Sequence, residues 1–253
     1  PALPKARVWP LHVCSKAARM SATLVLLPGM MCDARLFTPL QAALQGDYQV
    51  IVPDTGSADR FEALAQSILD VAPDSFALGG LSMGGILAME VIRQASERVS
   101  HLALMDTNPF AETPEVKQRR TPQMEAARTG NLAAVMRDEM KPNYFTHIVD
   151  NRHLKDTCMD MALSLGADVF INQSNALRAR PDYSDVLRRV TCPTLILCGR
   201  HDVLCPPERH HAMQDMIPHA RLVIIDEAGH LPTLEAPEQV ASVLDDLLLM
   251  DAA

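Results

Sequence analysis

Aromatic side chains are scarce in this chain, 4% of 253 residues with a single tryptophan, which argues against the stacking platforms used to hold single-stranded nucleic acid. An excess of basic charge is also missing. The net charge is −8, and apart from small groups such as Lys117-Gln118-Arg119-Arg120 the cations are mixed with acids, so no phosphate-backbone footprint exists and nucleic acid is not an expected partner. No apolar run approaches the roughly 18 residues of a membrane-spanning helix. Residues 1–19 hold four cations but no long apolar stretch of the secretory type, so a cytoplasmic location is expected. Cysteines are few and scattered. Cys14, Cys32, Cys158, Cys192, Cys198 and Cys205 form no C-x-x-C pair and no zinc-ligand spacing, which points to reduced thiols and to no metal site.

What the chain does have is enough apolar material, 48% of its residues, to bury one substantial core, so a single domain over residues 22–253 is expected. The opening segment PALPKARVWPLHVCSKAAR carries three prolines and no hydrophobic period, with Met20 directly after it. Met20 reads as the natural start, and residues 1–21 as an N-terminal extension expected to lack order.

Short apolar runs, polar only at their ends, recur at 23–27, 49–53, 75–79, 101–106, 194–199 and 221–226. Runs of this kind suit strands buried on both faces. Between the early ones, 37–44, 60–71 and 84–94 have helical spacing, and such alternation predicts an α/β fold with a mostly parallel central sheet flanked by helices. The alternation lapses at about 109–185, where amphipathic helical stretches are punctuated by Pro114, Pro122, Pro142 and Pro181. This segment is expected to form a helical cap inserted over one edge of the sheet.

In an open parallel sheet, ligands bind beyond the carboxyl ends of the strands. Ser82 follows the third run, Asp106 the fourth, Asp202 the fifth and His230 the sixth. A serine hydroxyl is a poor nucleophile at neutral pH and needs a base together with a carboxylate that orients that base. All three chemical types therefore fall at one rim.

The chain resembles the α/β-hydrolase family over about residues 22–250. The likeness rests on Gly80-Leu81-Ser82-Met83-Gly84, on Gly199-Arg200-His201-Asp202 with Pro206 following, and on Gly229-His230, in the order Ser, Asp, His that this fold uses. It implies that Ser82 is the nucleophile, His230 the general base and Asp202 the orienting acid, with Asp106 as the rival acid. The backbone amides of Met83 and Met30 are the implied oxyanion donors, although Pro28 stands where the family often has a histidine, which leaves the anchoring of that loop open. The family's usual strand hairpin ahead of the first central strand has no counterpart before Thr23, so a sheet shortened at that edge is expected. No cofactor and no metal are implied. The expected substrate is a small-molecule carboxylic ester cleaved through an acyl-enzyme; a lactone, a thioester or an amide is reachable with the same residues, and the fold also hosts C–C bond hydrolysis and lyase chemistry. An inert scaffold that binds a small molecule is the reading from another class.

Other polar residues have plainer readings. His201, His210 and His211 read as solvated surface histidines, and Cys32 and Cys205 as small buried hydrophobes without a role. Arg119, Arg120, Arg178 and Arg180 fit the polar face of amphipathic helices better than an anion site. Of Met30, Met31, Met83, Met136, Met140, Met159 and Met161, at least half are expected to pack in the core, the rest forming a pliable apolar wall suited to aliphatic substrates.

Overall fold

In the computed structural model, residues 22–146 and 152–252 are described; the readings of the N-terminal extension, of Met20 and of Cys14 fall outside them. Six strands, β1 (Ala22–Leu27), β2 (Tyr48–Ile51), β3 (Phe76–Leu81), β4 (Val99–Met105), β5 (Thr194–Gly199) and β6 (Arg221–Ile225), form one sheet in the order β2-β1-β3-β4-β5-β6. Every pairing is parallel. Among the described residues β2 is the edge strand, so the sheet carries nothing outside it there.

Alternate residues of each strand feed two separate cores, which is why the strands read as continuous apolar runs. Val25 and Leu27 of β1 join Phe76 and Leu78 of β3 on one face, while Leu24 and Leu26 join Ala77 and Leu81 on the other. The first face is covered by α2 (Phe61–Val71), whose Phe61, Leu64, Ala65, Ile68 and Leu69 recur at helical spacing and are all buried. Such a stripe stabilises by about 1.5–3 kcal/mol for each large side chain removed from water. The opposite face is covered by α1 (Thr38–Ala43) and by the C-terminal helix over Pro237–Leu248.

The register aligns the strand ends. Leu27 pairs with Gly80, Leu81 with Met105, Met105 with Leu197, and Gly199 with Ile225, so the loops after β1, β3, β4, β5 and β6 open on one rim. Between β4 and β5 lie α4 (Pro114–Ala126), a wide-turn stretch around Leu132–Ala134, and a long helix over Arg152–Ala179. Two details depart from the sequence reading of this segment. The first helix runs through Pro122 instead of stopping there; the carbonyl that the proline leaves unpaired belongs to exposed Gln118, where water can serve it. The long helix, which none of the four punctuating prolines interrupts, breaks at Gly166 with φ 84° and ψ 178°, a conformation costly for any residue with a side chain.

At the turn after β3, β-carbons on Gly80 and Gly84 would overlap backbone, the first that of Gly84 and Gly85 and the second the carbonyls of Leu27 and Pro28. Backbone cannot swing aside as a side chain can. Gly84→Ala is therefore expected to lower stability by about 1–3 kcal/mol, read as an earlier urea midpoint; an unchanged midpoint would mean that the turn is looser than this packing.

Candidate active site

Ser82 sits between β3 and α3 (Met83–Ala95) with φ 56° and ψ −116°, one of three non-glycine residues at positive φ among the described residues. The turn is pinned from behind. Ser82 N–H donates to the Met105 carbonyl at 2.9 Å, and its own carbonyl accepts from Thr107 Oγ1 at 2.8 Å. Its hydroxyl consequently faces a cavity of about 700 Å³ roofed by the inserted segment.

Two further strand ends deliver partners to that hydroxyl. Ser82 Oγ lies 2.8 Å from His230 Nε2, and His230 Nδ1 lies 2.8 Å from Asp202 Oδ2. With Nδ1 donating to the carboxylate, Nε2 is left to accept from the serine. Asp202 Oδ1 accepts from the amides of Leu204 and Cys205 at 2.8 and 2.9 Å. Burial alone would raise the Asp202 carboxyl, but the histidine and the two amides outweigh it and hold the group below the usual carboxylate range.

Asp106 does not reach the histidine. It too has a positive φ, 46°, and its Oδ1 accepts from Gly199 N–H at 2.9 Å. Burial, with the Asp202 charge beside it, pushes its carboxyl well above the usual range. A neutral Asp106 avoids two adjoining buried anions, and Asp202 alone is aligned with the imidazole.

The amides of Met83 and Met30 have no intramolecular acceptor among the described residues, and both residues line the cavity beside Ser82. Met83 begins α3, where the helix dipole adds to the attraction for negative charge. The β1 loop, which lacks the family's histidine, is anchored from the cap instead: Met31 N–H donates to Gln173 Oε1 at 2.8 Å, and Gln173 Nε2 donates to the Thr55 carbonyl at 3.2 Å. The His230 loop is braced likewise. Its N–H donates to the Tyr144 carbonyl at 2.9 Å, while Glu235 accepts from Thr146 and Gly229 amides at 3.1 and 2.9 Å.

Gln173 and Glu235 carry no sequence signal, because a polar residue's distant backbone partner is invisible in its own neighbourhood. The histidine reading needs correcting. His201 and His211 are exposed, but His210 is fully buried; its Nε2 accepts from Thr107 N–H at 3.2 Å and its Nδ1 faces the Pro206 carbonyl at 3.3 Å. It therefore stands behind Thr107, which holds Ser82. The arginine reading fails in part as well. Arg120 is bound to buried Glu112, with contacts of 2.5 to 3.0 Å, and Arg180 is 8% exposed; both line the cavity. Arg178 does not line it, and Arg119 lies exposed at its edge. Of the methionines singled out, Met30, Met83 and Met140 line the cavity. Met31, Met136 and Met161 are core residues.

Asp202, Cys205 and His230 bring three ligand-type atoms within 4.8 Å of one another. These atoms are a poor metal cradle, since the aspartate and histidine are bonded to each other and burial raises the Cys205 thiol to about 12. Cys32 also lines the cavity, and burial keeps its thiol protonated too.

The arrangement suits proton transfer from a serine to an imidazole beside unpaired amide donors. The chain matches the alpha/beta hydrolase family over residues 24–243. It belongs to that family. A pimeloyl-[acyl-carrier protein] methyl ester esterase of Legionella pneumophila is 23% identical over 246 residues, 89% of this chain and 94% of that protein. The counterpart from Nitrosomonas europaea is 28% identical, over 79% of this chain and 84% of its own. Among solved structures, a thermophilic esterase from Thermogutta terrifontis superposes with a TM-score of 0.83 at 29% identity, covering 90% of this chain and 89% of that one. The enol-lactonase from Burkholderia xenovorans shares the fold at a TM-score of 0.82 and 22% identity, over 92% and 93% of the two chains.

His210 gives the site an acid limit. Burial lowers its pKa to about 4, so as pH falls the unfolded chain takes up the proton first, and stability present above about pH 6.5 is lost progressively towards the folded value. Between pH 7 and pH 5 the parent is expected to lose about 2 kcal/mol through this residue, measured by urea unfolding. The same loss in His210→Gln would assign it to other groups.

Proposed function

We propose that the protein is a serine hydrolase that cleaves carboxylic esters through an acyl-enzyme, with Ser82 as nucleophile, His230 as general base and Asp202 as the orienting acid. One observation carries the reading: the continuous line of 2.8 Å contacts from Ser82 Oγ through His230 to Asp202, beside two unpaired amides. Attack by Ser82 on the ester carbonyl passes its proton to His230 Nε2, and the imidazolium is steadied by Asp202. The amides of Met83 and Met30 hold the oxygen anion formed at the carbonyl. His230 then gives the proton to the departing alcohol. Water, deprotonated by the same nitrogen, releases the acid and restores the serine.

The esterases among the relatives and the solved structures support the ester over other acyl compounds. The flexible Met30, Met83 and Met140 in the cavity wall favour aliphatic chains. Five cysteines, all unbridged among the described residues, fit a reducing cytoplasm.

Steady-state hydrolysis of p-nitrophenyl esters of increasing chain length, set against lactones, tests this reading. Ser82→Ala is expected to lower kcat by about 1000-fold or more. For the parent, kcat/KM falls on acidification, because only a neutral imidazole accepts the serine proton. Equal turnover by parent and variant, or a flat profile from pH 5 to 9, sinks the mechanism.

A further inference from the structure

The cavity that receives the Ser82 hydroxyl is cationic although the whole chain is acidic, with a net charge of −8. Arg119, Arg120, Arg180 and Arg209 line it against two carboxylates, Glu112 and Glu139. Four guanidinium groups against two carboxylates leave a surplus of positive charge. Glu112 is taken by Arg120 through both of its oxygens, and Glu139 accepts from Gln123 at 2.7 Å.

Arg180 is the unusual member. It is 8% exposed, and its Nε donates to the Phe110 carbonyl at 3.0 Å. Its two terminal nitrogens have no partner among the described residues. The side chain is largely enclosed yet keeps an edge open in the cavity, and burial pulls its pKa below the ordinary value. Of the charges around it, Glu112 favours the cation most, while Arg120 and Arg209 act on it as like charges. The Phe110 bond fixes the side chain at the root of the cap, where Tyr183 N–H also donates to the Pro109 carbonyl at 2.8 Å. Cys205, another neighbour of Arg180, follows Asp202 by three residues and donates its amide to it. The free edge of the guanidinium thus lies in the same chamber as the Ser82–His230 pair.

We infer that Arg180 is the anchor of an anion subsite, and that the preferred esters carry a carboxylate or a phosphate at a distance from the scissile bond. The inference rests on the ester-hydrolase reading for its reaction but not for the binding itself. A carboxylate or phosphate matches the planar fork of two terminal N–H groups, which is the geometry that favours arginine over lysine. Seating the anion supplies the missing acceptors and offsets the positive charge of the chamber. The Asn108 side chain, donating to Cys205 Sγ at 3.5 Å, adds a neutral polar group to this wall.

Two substrate series separate the sources of the anion: methyl esters whose acyl chain ends in a carboxylate against length-matched methyl esters, and acyl esters of phosphorylated alcohols against their dephosphorylated forms. The parent is expected to prefer the anionic member of one series, less so as sodium chloride is raised. Arg180→Gln is expected to shrink that kcat/KM ratio by about 10- to 100-fold, the scale of a lost charge-assisted hydrogen bond, and Arg180→Lys to restore only part of it. Equal kcat/KM for charged and neutral members in both series, or a preference that survives in Arg180→Gln, overturns the subsite. Calorimetric titration of the parent with glutarate and with inorganic phosphate needs no turnover and no variant. Saturable binding of either that weakens with salt and displaces a neutral ester supports the site, and absence of both overturns it. If no ester is turned over but an anion still binds at Arg180, the hydrolase reading fails and the subsite stands.

Discussion

The backbone of Ser82, held at φ 56° and ψ −116°, is the constraint around which the rest of the molecule is arranged. A residue with a side chain resists this conformation, so the surroundings must enforce it. They do so with the two glycines that let the turn close against β1 and with bonds to Met105 and Thr107. Buried His210 then holds Thr107. The result is a hydroxyl lifted off the sheet at the first turn of α3, where amide donors are unpaired and negative charge is welcome.

The inserted segment does more than cover the site. Its Gln173 carries the Met31 amide, its Tyr144 carbonyl carries the His230 amide, and its Arg180 is tied to Phe110 where the segment leaves the sheet. The cap therefore touches both the loop that offers an amide to the cavity and the loop that carries the imidazole. Displacing it would loosen both at once, so access to the cavity and the geometry of the reacting groups are linked through the same few bonds.

The inner strands β1, β3, β4 and β5 were legible because they are buried on both faces and read as apolar runs. The edge strands β2 and β6 are only partly buried, and the order of all six along the chain sufficed for the fold class. Ser82, Asp202 and His230 were legible as positions at strand ends, since a small glycine-flanked turn and a strand terminus leave local marks. Their convergence to 2.8 Å comes from the register of the sheet, which no single stretch of sequence contains. Supporting groups were illegible for the same reason. Gln173 acts on a residue 142 positions away, and His210 looks like its exposed neighbour His211 until the fold packs it behind Thr107. The arginines misled because a helix needs a polar face in any case, and only the enclosure of Arg120 and Arg180 distinguishes them from that background.

Whether the strained turn presents an activated serine is tested most directly, whatever the natural substrate is, by covalent labelling with a fluorophosphonate followed by intact mass. One adduct is expected on the parent, mapped to Ser82, absent in Ser82→Ala and much slower to form in His230→Ala. A folded parent that takes up no label, or a label that persists in Ser82→Ala, would contradict an activated Ser82.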